Sequence, residues 1–429
     1  MATIHVMWAL SDELVSNAVW AVVGTLLGIA GTVVYESVRS GWSRNRRHAA
    51  LRKSLSRVAA AGEKLGVVTL GAGPWPLGRQ LSVRDTERSF FISFPTDLLP
   101  ELERRYESKG QSLDDCFVLN ESVFLDGTGS PGGVAEECGI ADFARLLQQH
   151  RREVALDFVH GRNGCYFNHP KFGVYGIDVT PRPTSDERRC LSIELYRTDY
   201  FTHKVMRGIY RELKARGHPI TQADDQADLQ RYNSFCTSLG LNAVVILTSD
   251  REGAALVLTR RSKLASETRG RKRYHVTMNE GLSMTDYDSY EGRVSFKQWL
   301  RRGLDEELNL PSALVDERVH ASFDDIFLVT ELFEIGIVAT VEISGMTFEE
   351  LCSRADRAKD KKLEVDALEC VPATPKAVRA FLRTHEMVPH GRYAFARVAA
   401  RQGIEVGENW WAEQRSTHGS PGMPPRPRA

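Results

Sequence analysis

The 429-residue chain has no surplus of either charge: 56 Lys and Arg stand against 56 Asp and Glu. That balance excludes the broad basic footprint of a nucleic-acid-coating protein, and direct DNA binding is not expected. Cysteines are few and scattered, at 116, 138, 165, 190, 236, 352 and 370, with no CxxC pair. The odd count and the spacing argue against a disulfide framework and against a zinc site made of cysteines alone; reduced thiols in a cytosolic compartment fit better. The first thirteen residues lack Lys and Arg and carry Asp12 and Glu13, so the basic n-region of a cleaved secretory signal is missing. Residues 80–235 show no repeat and no recognised catalytic motif. The apolar share of 42% and charged share of 26% are those of globular protein. The length leaves room for about two or three domains.

One long apolar run is present. Residues 14–35, LVSNAVWAVVGTLLGIAGTVVY, contain no charge, and only Ser16, Asn17, Thr25 and Thr32 are polar. As a helix the run spans ~33 Å, enough for a hydrocarbon core of ~30 Å. A soluble core helix of this length would show a polar stripe, which this one lacks. Trp20 and Tyr35 suit interfacial levels, Tyr35 the better placed. Arg39, Arg44, Arg46, Arg47, Arg52, Lys53 and Arg57 follow, with no acid between Glu36 and Glu63. The positive-inside rule then predicts a single-pass cell-membrane protein with its C-terminal bulk in the cytoplasm. The basic run (36–65, read as a juxtamembrane helix) would lie against anionic lipid headgroups. Gly24, Gly28 and Gly31 put small residues on one face, which permits helix–helix approach and self-association into a homo-oligomer.

Beyond the membrane segment, residues 66–78 (GVVTLGAGPWPLG) read as a loop or linker. Residues 80–235 read as a mixed α+β domain of unassigned role. It has a strand at Arg88–Phe94, a helix at Ile140–Gln149, a short strand at Leu191–Leu195 and a helix at Phe201–Arg216. Asp199 stands where an N-cap for the last helix belongs. His160, His169 and His203 have no metal-ligand spacing and read as structural or surface histidines. From 240 the pattern sharpens. Asn242–Thr248 and Ala254–Arg260 predict a hairpin, Tyr274–Met278 a strand, and Phe327–Ile343 one or two strands. Lys362–Val371 and Thr374–Arg383 predict a last strand and helix. The tail from 405 to 429 reads as disordered.

Ser295 opens a helix with S-x-x-Q, in which Phe296, Trp299, Leu300, Leu304 and Leu308 recur on one face. Asn309 and Pro311 end it. Its last turns carry Asp305, Glu306 and Glu307. The string Arg302–Leu310, RGLDEELNL, resembles the end of the Nudix box, REUxEExGU with U a bulky aliphatic. Arg302 stands for the arginine, Leu304 for the first aliphatic, Glu306 and Glu307 for the paired acids, Leu310 for the last aliphatic. The chain over 240–400 therefore resembles a Nudix domain. The resemblance implies a C-terminal Nudix-like α/β/α sandwich, so that the whole chain is expected to be α/β, with an N-terminal transmembrane helix and a mixed α+β middle region before the sandwich. It also implies Mg²⁺ held by Glu306 and Glu307, which stand at i+3 and i+4 from position 303, the spacing at which box carboxylates share one helix face, and Glu307 as the catalytic residue if the site is active. Two positions depart from the pattern. The glutamate directly after the arginine, a metal ligand in the family, is Gly303, and an earlier family glutamate is Val294.

Arg260 and Arg261, with Arg302, are candidates for holding nucleotide phosphates, since guanidinium groups bind phosphate bidentately. Arg260 and Arg261 open a basic stretch running to Arg273, which reads equally well as a solvated hairpin extension. Glu306 and Glu307 likewise have an ordinary reading as solvated acids of a last turn. Three functions stay open. One is a membrane-anchored sensor that binds a nucleotide or cyclic oligonucleotide, resembling the transmembrane Nudix effectors of bacterial antiphage signalling. One is an active Mg²⁺-dependent hydrolase of nucleoside diphosphate derivatives. One is a scaffold without ligand.

Overall fold

Leu239–Ser249 lies near the middle of the fold, and every residue from Leu241 to Leu247 is buried, as in a strand covered on both faces. The computed structural model describes residues 49–76, 81–180, 190–249, 253–262, 273–288, 293–359 and 365–412. The apolar run 14–35 lies outside them. No helix among the described residues is long and apolar enough to cross a membrane. The described residues from 57 onward form one compact unit of mixed α/β structure.

In chain order the strands are β1 (Val67–Pro76), β2 (Leu81–Ser89), β3 (Pro170–Thr180), β4 (Cys190–Asp199), β5 (Leu239–Ser249), β6 (Gly253–Arg261) and β7 (Tyr274–Val276). They continue with β8 (Met278–Gly281), β9 (Tyr287–Asp288), β10 (Arg293–Val294), β11 (Val319–Val329), β12 (Glu334–Ser344) and β13 (Val365–Pro372). The helices that matter below are α1 (Phe143–His160), α2 (Tyr200–Ala215), α3 (Phe296–Leu308), α4 (Ser312–Arg318), α5 (Phe348–Ala355), α6 (Pro375–Thr384) and α7 (Pro389–Arg401). Eight strands form one mixed sheet in the order β1-β11-β12-β5-β6-β13, with β8 also on β5 and β7 also on β6. β5 and β12 run parallel; the other ladders are antiparallel. A second sheet, β2-β4-β3, belongs to the middle region.

The predicted hairpin is β5–β6, and the single strand expected at 274–278 is divided into β7 and β8. The helix expected at 201–216 is α2, and the Asp199 carboxylate accepts the Thr202 N–H at 2.7 Å, as an N-cap does. Two expectations are corrected. Most of the 66–78 stretch is not a linker: Val67–Pro76 forms β1, an edge strand on β11, with register shifts on either side of the Gly71–Ala72 pair, and residues 77 and 78 lie outside the described residues. Its glycines, which suggested a loop, serve close approach. A Cβ on Gly71 would meet Val179 Cγ2 at 2.6 Å, and one on Gly73 would meet the Asp324 carbonyl at 2.8 Å. Nor does order end at 405. Arg392, 1% exposed, donates Nε–H to the Trp410 carbonyl at 2.7 Å and Nη2–H to the Ala412 carbonyl at 3.2 Å. A buried guanidinium needs acceptors, and the stretch 405–412 provides two of them. The helix expected at 140–149 also runs further, as α1.

Helices cover both faces of the large sheet. On one face Phe296 of α3 packs on Phe323 of β11, ring centroids 5.4 Å apart. On the other, Tyr393 of α7 packs on Phe327 of the same strand at 5.4 Å. A bulge between Phe323 and Asp325 turns two successive acids toward α7. Asp325 forms a bidentate pair with Arg397 at 2.5 and 2.6 Å, and Asp324 pairs with Arg401 at 3.2 Å. All four charges are buried or nearly so, each with an opposite partner, as a desolvated charge requires.

Candidate functional site

Ser295 Oγ accepts the Gln298 N–H at 3.3 Å and starts α3; Asn309, at φ 53°, ends it by donating to the Asp305 carbonyl at 2.9 Å. Phe296, Trp299, Leu300, Leu304 and Leu308 are buried, as their spacing predicts, and so is Gly303. The reason for a glycine here is β8. A Cβ at position 303 would lie 2.6 Å from Met278 Sδ and 3.4 Å from Glu280 Cβ. The side chain that the helix lacks would thus enter space held by two residues of the neighbouring strand. Glu280 of β8 directs its carboxylate to Arg302 Nη1 at 3.0 Å.

Arg302 is the centre of the polar network. Its Nε and Nη2 donate to the two carboxylate oxygens of Asp286 at 2.8 and 2.9 Å, and Nη2 also to the Gly281 carbonyl at 2.8 Å. Its Nη1 reaches Glu280 and Glu306, each at 3.0 Å. Burial disfavours its charge, but the hydrogen bonds and charges of Asp286 and Glu280 win and hold its pKa above the usual arginine range. Asp286 is 1% exposed and sits in a one-turn 3₁₀ helix, where its carboxylate accepts the Ser283 N–H at 2.8 Å in a reciprocal cap. The Ser283–Asp286 string S-x-x-D is a visible signal of that cap; nothing in the sequence ties it to Arg302, sixteen residues on. Glu280 carries no local signal at all.

Glu307 is 4% exposed and accepts the Asn279 N–H at 3.1 Å, so it joins α3 to β8 rather than facing water. Asn279 continues the chain of bonds to Asn242 Oδ1 of β5 at 2.9 Å. Glu306 is partly exposed and bound to Arg302. The structure therefore brings Arg302, Glu306 and Glu307 together with Glu280 and Asp286. It does not draw Arg260 into this network: Arg260 pairs with Asp366 of β13 at 2.7 Å. Arg261 is largely buried, its N–H donating to the Arg273 carbonyl at 2.9 Å. Residues 263–272 of the basic loop lie outside the described residues, as do 289–292. Val294 is buried.

A cleft of about 380 Å³ opens beside α3, lined by Thr285, Asp286, Gln298, Arg301, Arg302, Asp305, Pro311 and Ser312. It adjoins Arg302 and Asp305; Glu306 and Glu307 do not line it. Among the described residues, the trio with candidate metal-ligating atoms within 4.8 Å of one another is Asp224, Asp225 and Asp228, which is largely exposed. Glu306 and Glu307 belong to no such trio. One is committed to Arg302 and the other to a backbone N–H, so this arrangement does not fit an open Mg²⁺ site, which wants several free oxygen ligands. What the site can do is present a rigid, hydrogen-bonded arginine at the rim of a polar cleft. No protein-family model matches the chain, and no curated protein matches it.

Proposed function

We propose that the protein is a membrane-anchored nucleotide sensor: its Nudix-like domain binds a nucleotide or cyclic oligonucleotide without efficient hydrolysis, and its N-terminal helix is the output. The observation that carries the reading is Gly303 against Met278 and Glu280. It accounts for the missing box carboxylate by packing, and it leaves the paired acids engaged in holding Arg302 and β8. The order of elements also favours a Nudix-like domain: hairpin β5–β6, loop, α3, strands β11 and β12, then β13 and α6, with helices on both faces of a mixed sheet. The membrane part rests on the uncharged run 14–35 and its basic flank. Antiviral signalling, as in the transmembrane Nudix effectors, supplies a role in which ligand gathers membrane helices through the Gly24–Gly28–Gly31 face.

Such a sensor works only if ligand binds the assembled state more tightly than the separate one. The test uses the full chain in lipid vesicles. Melting is followed with nucleoside diphosphates, ADP-ribose and cyclic dinucleotides, beside a hydrolysis assay with Mg²⁺ and Mn²⁺. Stabilisation without turnover is expected. The alternative is an active Mg²⁺-dependent hydrolase. Robust turnover abolished by Glu307→Gln would replace the sensor with it, and absence of stabilisation by every nucleotide would remove the sensor.

A further inference from the structure

The cleft beside α3 is walled by one stripe of that helix. Gln298, Arg301, Arg302 and Asp305 stand at i, i+3, i+4 and i+7, and Pro311 and Ser312 border the same space. Its volume of about 380 Å³ lies in the range of small-molecule sites, roughly 300–1,000 Å³. Arg301 and Asp305 are opposite in charge and one turn apart, so they would ordinarily pair with each other. Each is instead drawn to another element. Arg301 Nη2 binds both carboxylate oxygens of Asp316 in α4. Lys359, which follows α5, donates to Asp305 Oδ2 at 3.0 Å. The two side chains are thereby parted, with the cleft beside them.

Both retain capacity for a guest. The Asp316 pair occupies Nη2 of Arg301 alone, and Arg301 Nε is covered and has no hydrogen-bond partner. A covered donor without an acceptor favours any guest that supplies one. Asp316 is itself shared, since Lys297 Nζ lies 3.2 Å from it; Arg301 first and Lys297 second hold its carboxyl below the usual aspartate range. Asp305 keeps Oδ1, which Lys359 does not engage. Arg302, by contrast, is closed: Asp286, Gly281, Glu280 and Glu306 take all its N–H donors. Since Arg302 alone faces three carboxylates, the described surroundings carry no surplus of positive charge that would draw in a bare phosphate. The wall suits a flat, neutral group with an acceptor for Arg301 beside donors for Asp305. Guanine has that order along one edge: O6 accepts, and N1–H and N2–H₂ donate. Adenine reverses it, with a donor at N6, and offers a carboxylate one donor group instead of two adjacent ones.

We propose that the cleft beside α3 reads a guanine base, with Asp305 accepting from N1–H and N2–H₂, Arg301 donating to O6, and Gln298 and Ser312 at its border. The inference rests on the nucleotide reading above and narrows it: the ligand is a guanine nucleotide, selected by its base and not by its phosphates. A guest that bridges Arg301 and Asp305 would also tie α3 to α4 and to the residues after α5, through Asp316 and Lys359.

The test is calorimetry on the full chain in lipid nanodiscs. GMP is compared with AMP and with XMP, whose base has a carbonyl where guanine has its 2-amino group; cyclic di-GMP is set against cyclic di-AMP in the same way. The guanine member of each set is expected to bind at least about tenfold tighter. Asp305→Asn replaces an acceptor by an amide that also donates. GMP should then weaken at least about tenfold and XMP should bind at least as tightly as GMP, an exchange that a merely structural role of Asp305 would not produce. Arg301→Gln should weaken GMP at least about tenfold, whereas Lys297→Gln, which also loses its pair with Asp316 but does not line the cleft, should leave it unchanged. Binding of nucleotides without preference for guanine would overturn the proposal and leave the sensor reading standing. So would a guanine preference that survives Asp305→Asn, equal weakening of GMP, AMP and XMP by that variant, or equal weakening of GMP by Arg301→Gln and Lys297→Gln. Absence of binding by every nucleotide would remove the sensor reading and this inference with it.

Discussion

Gly303 of α3 and Met278 of β8 are packed so closely that a single added carbon at 303 would stand 2.6 Å from the methionine sulfur. A helix-interior glycine ordinarily costs about 1 kcal/mol relative to alanine. Here the lost propensity is the condition for seating α3 on the strand. Two of the three nearest atoms belong to a flexible side chain, Sδ and Cε of Met278; the third is Glu280 Cβ. Gly303→Ala should therefore destabilise by about 1 kcal/mol or less, and Gly303→Glu by about 2–3 kcal/mol through overpacking. Met278→Ala empties a fully buried site and should cost about 2–4 kcal/mol by itself, and combined with Gly303→Ala it should cost less than the sum of the two. Urea denaturation of these variants measures this. Full stability of Gly303→Glu, together with new hydrolysis, would mean that the site is merely disarmed and that packing is not the reason for the glycine.

Arg302 holds Asp286, which is 1% exposed. Arg302→Met should destabilise by about 2–4 kcal/mol, because the penalty is that of a buried carboxylate left without its cation. Adding Asp286→Asn should restore much of the loss, since the amide can still accept the Ser283 N–H. A double-mutant cycle in urea reads the coupling, and additive losses would show that the pair contributes little.

Glu307 accepts a backbone N–H, and an amide oxygen can do the same. Glu307→Gln should leave the melting temperature within about 2 °C of the wild type, whereas Glu307→Ala, which leaves the Asn279 N–H buried without its acceptor, should lose about 1–3 kcal/mol. Nucleotide binding followed by melting should survive the glutamine variant.

Asp324 is buried, and burial pushes its pKa up to about 6 although Arg401 opposes the shift. An unfolded aspartate titrates near 3.9. Between those values the folded state binds more protons than the unfolded one. Stability from this group is therefore complete below about pH 4 and is lost as pH rises through 6, by at most about 3 kcal/mol. Asp324→Asn should remove that slope, with Arg401 keeping Asp325 as partner. Wild type and variant should differ little at pH 4.5, and the variant should gain relative to wild type by pH 8. Parallel stability–pH curves for the two proteins would refute the assignment.

Local patterns in the chain foretold the elements whose stability is local. α3 was legible because its apolar spacing, Ser295 and Asn309 all point to the same helix, and β5–β6 because two apolar runs flank a short turn. Asp199 was legible as a cap for the same reason: its partner is three residues away. The composition signal misled at 66–78, where glycine and proline suggested a linker. Those glycines make room for Val179 and for the Asp324 carbonyl, contacts that span a hundred residues or more and have no local trace.

The sequence by itself determined which helix carries Arg302, Glu306 and Glu307, and that position 303 lacks a side chain. It also determined the uncharged run 14–35 and its basic flank. Tertiary structure alone decided what those features do within the folded chain. It surrounded Arg302 with carboxylates from three separate segments, turned Glu307 inward to a strand, and filled the space beside Gly303 with Met278 and Glu280. The physical reason is range. Helix propensity and capping act over a turn, whereas ion pairing in a desolvated site and exclusion of one side chain by another depend on neighbours that only the fold brings together.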